Sequence, residues 1–464
     1  MLFAKGVKIL TQETPHSLGL QASPNTDIEH RFAANISLIF CMRLKTLWSV
    51  HHWKSRLLLW SAAAAVGVAA VAFAKIADVA QAQLQRLVAA WSFWPWLLAP
   101  LGFFLIAWVT RRYFRGAEGS GIPQTIFALR TNAGEQGRDF LRPRVVIGRV
   151  GLAAVGLLCG GSIGREGPTV HVGAVIVNYV SRWMPHGRNE AQRRALVLAG
   201  GAAGVAAAFN TPLAGIVFAI EELSKSFEER ASGTTLTAVI LAGVVAIALV
   251  GDYTYFGQPT VANQVRAISP AILALAIACG LAGGLFSRLT LAAAHRLPGA
   301  LGRLRVERPA LFAGLCGLGV AAIGAWSGGL TYGTGYTEAR AILENHAHLS
   351  WVYAPARALA TLLSYLSGIP AGLLAPSLSV GAGFGQLIAD ASGQPSAVPF
   401  AILGMCGYLA GVTQAPLTSL VIVMEMTAQH SMVLPLMVCA ALATTLSKVI
   451  SPPLYQSLAD RYAV

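Results

Sequence analysis

The sequence predicts an all-α integral membrane protein made of two homologous halves with many tilted and broken helices. Three observations predict it: a composition too apolar for a water-exposed surface, apolar segments of which several cannot cross a bilayer alone, and an internal repeat. Of 464 residues 55% are hydrophobic, only 12% are charged and 48 are glycine. A water-soluble domain carries about 25% charged residues, so the solvent this composition fits is lipid.

The apolar runs come in two lengths. Residues 57–73, 87–109, 271–286 and 434–450 approach or reach the roughly 20 residues that span a bilayer as a helix. Residues 170–180 and 397–412 fall short, and glycine and proline interrupt or flank them. Short, broken helices in a membrane protein surround a cavity or pathway, because lipid cannot satisfy freed backbone groups. This favours transport over anchoring.

The net charge of +14 is clustered at 43–56, 111–115, 182–194 and 303–308, beside apolar spans. A nucleic-acid binder has a similar balance, but the positive-inside bias explains the placement directly. It puts the N-terminus in the cytoplasm and returns the second helix at "RRYFR" (111–115). The six cysteines form no CxxC pair and read as small core residues. Residues 1–41 are polar, and "ISLIF" (36–40) is too short for a signal peptide. They read as a disordered cytoplasmic extension to a single transport domain over 42–464, with Met42 as an alternative start. The tryptophans, Trp91, Trp94 and Trp96 among them, suit a membrane interface.

The repeat is visible by eye. "GPTVHVGA" (167–174) returns as "APSLSVGA" (375–382), and "TPLAGIVFAIE" (211–221) as "APLTSLVIVME" (415–425), with the same spacing from proline to glutamate. A weaker pair precedes them, "GSG" (119–121) and "GTG" (333–335). Two halves, about 55–250 and 265–464, are expected to enclose a site at mid-membrane. The breaks in the repeat carry the most information. Glu166 stands two residues before Pro168, where the second half has Leu374 before Pro376; Glu222 follows Glu221, where Met426 follows Glu425.

Each element puts glycine ahead of a proline that opens an apolar helix. Proline suits the first turn, where its missing N–H has no partner to lose. The neighbouring N–H groups point outward with about half a positive charge. Glycine lets an ion approach the backbone. Several such ends converging make an anion site with no full positive charge, firm enough to strip water and weak enough to release. Each element alone could equally be a helix cap or a packing point; "GSGIP" (119–123), "GREGP" (164–168) and "GLLAP" (372–376) together, with carboxylates breaking the symmetry, favour the site.

These three signatures resemble those of the ClC chloride channel and transporter family, and "PPLY" (452–455) is similar to the segment that bears its pore tyrosine. The resemblance runs from about residue 55 to the end. It implies two inverted halves, a homodimer with one pathway per subunit, and chloride as substrate with no cofactor. Ser120 and Tyr455 would offer hydroxyls to the central anion, and Leu373 and Leu374 backbone N–H groups, although the family usually has Ile-Phe at that pair. Serine at 120 argues for chloride, where nitrate specialists tend to carry proline; as a bare residue it could be an N-cap. Glu166 matches the external gating glutamate, whose carboxylate can take the anion's seat. A carboxylate deprived of water favours its neutral form, which links proton binding to anion exchange. The other reading of Glu166 is a salt bridge with Arg165. Glu222 matches the proton-passing glutamate of exchangers, or else is a solvated carboxylate beside Lys225. Glu221 and Glu425 suit packing roles.

Other signals are set aside. "ENHAHLS" (344–350) has Glu344, His346 and His348 but no common metal-site spacing. His171 reads as a hydrogen-bonded core histidine with Ser379 as its counterpart, and "GTGYTEA" (333–339) has no preceding strand to make a dinucleotide loop. Only nine residues follow Tyr455, so paired regulatory domains are not expected, and the compact architecture suggests a bacterial inner membrane. The function expected is proton-coupled chloride exchange. The rivals are a voltage- or pH-gated channel of the same fold, an intramembrane enzyme, for which no HExxH, GxSxG or Asp pair is present, and an organic-anion transporter, which needs a roomier site.

Overall fold

Apolar helices separated by glycine–proline breaks make up most of the chain. The computed structural model describes residues 50–130, 134–184, 190–224, 233–251, 254–259, 269–295 and 297–463; the extension read at 1–41, Met42 and Lys225 lie outside them. The chain divides into two compact units, 1–56 and 57–464, and the described part of the first is only the opening of helix α1. Everything below concerns the second.

The first half holds α1 (Val50–Ala90), α2 (Trp94–Tyr113), α3 (Ile122–Leu129), α4 (Gly134–Phe140), α5 (Pro143–Leu158), α6 (Glu166–Ser181), α7 (Glu190–Phe209), α8 (Pro212–Phe218) and α9 (Gly233–Val250). The second holds α10 (Pro270–His295), α11 (Gly299–Glu307), α12 (Pro309–Trp326), α13 (Tyr336–Leu343), α14 (Tyr353–Leu366), α15 (Leu374–Ala391), α16 (Val398–Thr413), α17 (Pro416–Thr427), α18 (Val433–Ile450) and the short α19 (Leu454–Asp460). Among the described residues six helical segments are long and apolar enough to cross a membrane. They leave large apolar side chains uncovered, Leu101, Val244, Leu285 and Leu434 among them, as surfaces solvated by lipid do. The apolar run at 87–109 is not one helix: α1 ends at Ala90 and α2 restarts at Trp94 with Pro95 in its first turn, because proline there has no N–H to continue the earlier ladder.

The short segments behave differently. All 16 residues of α16 are buried, and most of α6 is too. Each packs on its neighbour through glycine: a Cβ on Gly173 would lie 2.2 Å from the Gly200 carbonyl oxygen, and one on Gly381 2.3 Å from that of Gly404. The pairs α6–α7 and α15–α16 are thus the same close-packed unit used twice, as the repeat implies. Both units end alike. Asn210 and Gln414 take positive φ, 56° and 60°, and a proline then opens α8 or α17.

The halves meet where equivalent helices touch, α2 on α12 and α8 on α17. The Glu425 carboxylate, near the end of α17, accepts from the N–H groups of Leu213 and Ala214 in the first turn of α8. Glu221, near the end of α8, does the same for Leu417 and Thr418 in α17. The two helices therefore run antiparallel, which is the relation of inverted halves.

Candidate functional site

Three glycine-rich loops meet in the interior. Gly121, at φ 93°, precedes α3 with its Pro123; Arg165 precedes α6 with Pro168; Leu373 precedes α15 with Pro376. Backbone bonds join them. The Gly119 N–H donates to Ile369 (3.1 Å) and the Ala371 N–H to Gly119 (3.0 Å), while Gly164 and Gly372 exchange bonds of 2.8 and 3.1 Å. Glycine is needed for the approach: a Cβ on Gly167 would stand 2.6 Å from Ser120 Oγ and 3.5 Å from the Gly372 Cα.

Two fully buried arginines brace equivalent loops in the two halves, one at 116–119 beside the site and the other at 330–333. Arg149 in α5 donates to the carbonyls of Gly116 (2.7 Å) and Gly119 (2.9 Å). Its repeat counterpart Arg357, in α14, donates to Leu330 (2.8 Å) and Gly333 (2.7 Å). The guanidinium's several donors in one plane hold the peptide groups in place before any ion arrives. The sequence reading passed over both arginines, although their equal place in the repeat was a signal.

Ser120, Glu166, Leu373, Leu374 and Tyr455 come together around this junction. Leu373 and Leu374 are buried at the start of α15, so their backbone N–H groups belong to a helix N-terminus. Ser120 is fully buried and does not cap α3, whose N-cap is Gly121 and has no side-chain cap. Tyr455 is fully buried in α19, and its hydroxyl lies on the side of Ser120. Neither hydroxyl oxygen meets a partner at normal hydrogen-bond geometry. Each hydroxyl is a rotatable donor that an anion in this junction would accept from.

Glu166 is the first residue of α6 and has no exposed surface. Its carboxylate lies where a Cβ on Gly164 would stand 2.5 Å from Oε2 and 3.1 and 3.3 Å from Pro376 and Ala375 in the first turn of α15, and the Tyr255 hydroxyl lies 3.5 Å from Oε1. The ion-pair reading fits less well. Arg165 Nε is 4.0 Å away, whereas the same guanidinium holds Asp78 of α1 at 2.7 Å and the Ala74 carbonyl at 3.0 Å. It also lies over the Tyr255 ring, 5.9 Å from its centroid. Tyr255 and Asp78 escaped the sequence reading because only folding brings Tyr255 to Glu166 and Asp78 to Arg165.

Glu222 lies in a π-helical turn, Ala219–Leu223, that continues α8. Such turns are frequent at functional sites. It is buried, and its carbonyl accepts Gln456 Nε2 at 2.7 Å, the residue after Tyr455. The counterpart Met426 sits in regular α-helix, and its carbonyl accepts the Phe256 N–H (2.9 Å), which anchors the loop bearing Tyr255.

The remaining signals resolve simply. His171 is buried with Nε2 at 2.9 Å from the Phe140 carbonyl oxygen, and Ser379 donates to Gly335. Glu344 pairs with Arg340 and His346, and His348 faces Asp390, in separate contacts. The described cysteines are free and buried.

A family model described as the voltage gated chloride channel matches residues 102–448. Among solved structures the chain is similar to a slow cyanobacterial Cl-/H+ antiporter, with TM-score 0.72 and 23% identity over 87% of this chain and 97% of that one. It is similar to a CLC-type fluoride/proton antiporter at TM-score 0.72 and 22% identity, covering 88% and 98% of the two chains. A eukaryotic CLC transporter matches at TM-score 0.68 and 22% identity, over 89% of this chain and 74% of that one.

Proposed function

Because the chain belongs to the voltage gated chloride channel family, we propose that it moves chloride across a membrane in exchange for protons. The carrying observation is the seat of the Glu166 carboxylate. It lies against Gly164, beside Ala375 and Pro376, at the joined starts of α6 and α15, where the helix-start N–H groups are the donors an anion entering this junction would use. Protonated, the side chain loses its hold on those amides and chloride replaces it; ionised, it returns and chloride leaves.

The central anion is held by the Ser120 and Tyr455 hydroxyls with the backbone N–H groups of Leu373 and Leu374. No step needs a cofactor, and no covalent bond is made or broken. Glu222 relays protons to the far side. Support comes from its burial, its contact with the residue beside Tyr455, and its restriction to one half. The family resemblance extends this reading to a homodimer with one pathway per subunit. Arg111, Arg115, Arg303 and Arg305 gather on one face, which the positive-inside bias assigns to the cytoplasm together with the N-terminus.

Purified protein in liposomes with a chloride gradient and an internal pH dye tests the reading. Chloride-driven uphill proton movement that vanishes in Glu222→Gln is expected. Chloride flux with no proton signal in the wild type would favour the uncoupled channel instead. Glu166→Gln should pass chloride without pH dependence or proton movement; retained coupling there would falsify the gate.

A further inference from the structure

Several arginines gather around two adjoining cavities. Arg111 and Arg115 at the end of α2, Arg305 in α11 and Arg461 after α19 line a cavity of about 630 Å³ together with Tyr365 and Tyr462. An adjoining cavity of about 660 Å³ shares Arg111, Arg305 and Arg461 and adds Arg303 and His295. Among the described residues the carboxylates on their walls are Glu118 and Glu307. Glu118 turns its carboxylate to the Gly116 N–H at 2.8 Å. Among the described residues no carboxylate lies within ion-pair distance of Arg111, Arg115, Arg305 or Arg461. Burial, and then the Arg461 and Arg111 guanidiniums, hold Arg305 below its ordinary value. Like charges that face one another in a partly buried cavity need a counter-ion.

The chemistry and the depth both specify that ion. A guanidinium presents paired N–H donors that match phosphate bidentately, and the three shared by both cavities are far more than a halide requires. Helix α11 buries none of its residues and exposes Leu301 and Val306 alongside Arg303, the pattern of a helix lying at a membrane surface. Trp108 and Tyr113, exposed near the end of α2, are side chains of the headgroup level. We propose that this cavity binds a phosphate-bearing anion, held by Arg111, Arg305 and Arg461. The site is separate from the Glu166 seat and does not depend on proton coupling.

The test uses the full chain. Thermal unfolding is followed in detergent with inorganic phosphate added against sodium chloride at matched ionic strength. It is followed again in nanodiscs of phosphatidylcholine with and without phosphatidylglycerol. The expected result is a midpoint raised by about 3 °C and lost in Arg305→Gln/Arg461→Gln. A rise with phosphatidylglycerol alone identifies a lipid headgroup, and a rise with inorganic phosphate identifies the free anion; either supports the site. No rise from either source, an equal rise with chloride, or a rise kept in the double variant overturns it. Arg461 is exposed, so Arg461→Gln alone, checked by its chloride flux, decides the matter if the double variant does not fold.

Discussion

Glu221 and Glu425 hold equivalent places in the two halves, and each closes the first turn of the helix that ends in the other. Glu221 accepts from Leu417 and Thr418 at 3.2 and 2.6 Å; Glu425 accepts from Leu213 and Ala214 at 3.1 and 2.7 Å. Two half-buried carboxylates thereby find partners in N–H groups that proline-opened helices leave unpaired. Their neighbours diverge, Glu222 on one side and Met426 on the other. One position in this pair of helices is structural, and the adjacent one is the residue proposed above to carry protons.

Adjacent glutamates should therefore fail differently. Glu221→Gln removes the charge from two helix-capping bonds and should cost about 1–3 kcal/mol of stability, yet keep proton-coupled flux. Glu222→Gln should keep stability and lose the proton signal. Denaturant titration and the liposome assay on both variants decide it; the reverse pattern would exchange their roles.

Removing the two hydroxyls should weaken chloride binding without abolishing it. Ser120→Ala and Tyr455→Phe each delete one donor worth about 1 kcal/mol, roughly fivefold in affinity, while the backbone amides of Leu373 and Leu374 remain. Calorimetric titration with chloride measures this. Unchanged affinity in both would place the anion elsewhere.

Tyr255→Phe should alter the pH profile. The hydroxyl, 3.5 Å from Glu166 Oε1, donates to the carboxylate and favours its charged form. Arg165 is the other group near that carboxylate, itself drawn toward Asp78. Without the hydroxyl the carboxylate loses a donor to its charged form, so acid-activated chloride flux should extend to higher pH. A flux–pH curve that shifts downward, or not at all, counts against Tyr255 as a positioning residue.

The glycine contacts leave no room for a side chain. Gly173→Val and Gly381→Val should each prevent α6 or α15 from seating on its neighbour and abolish recovery of folded protein, because the obstacle is backbone oxygen at 2.2 and 2.3 Å from the added Cβ. Gly151, with nothing within 4 Å of an added Cβ, should accept alanine. Size-exclusion profiles in detergent compare the three.

Much of this was legible in one dimension. Low charge, broken apolar runs and the repeated proline elements specify helices in lipid and two halves, since period and proline act locally. The asymmetric Glu166 and Glu222 were visible as breaks in that repeat. The 87–109 run was misread as continuous because hydropathy is blind to the turn at Trp91–Phe93. Equally beyond sequence reading were Tyr255 over Glu166, Asp78 on Arg165, the Arg149 and Arg357 braces, and the convergence of Arg111, Arg305 and Arg461. Each joins residues far apart in the chain. Composition determines which solvent a helix wants and where it must start and stop; only the packed structure decides which side chains then share a few ångströms of space, because that depends on how whole helices cross.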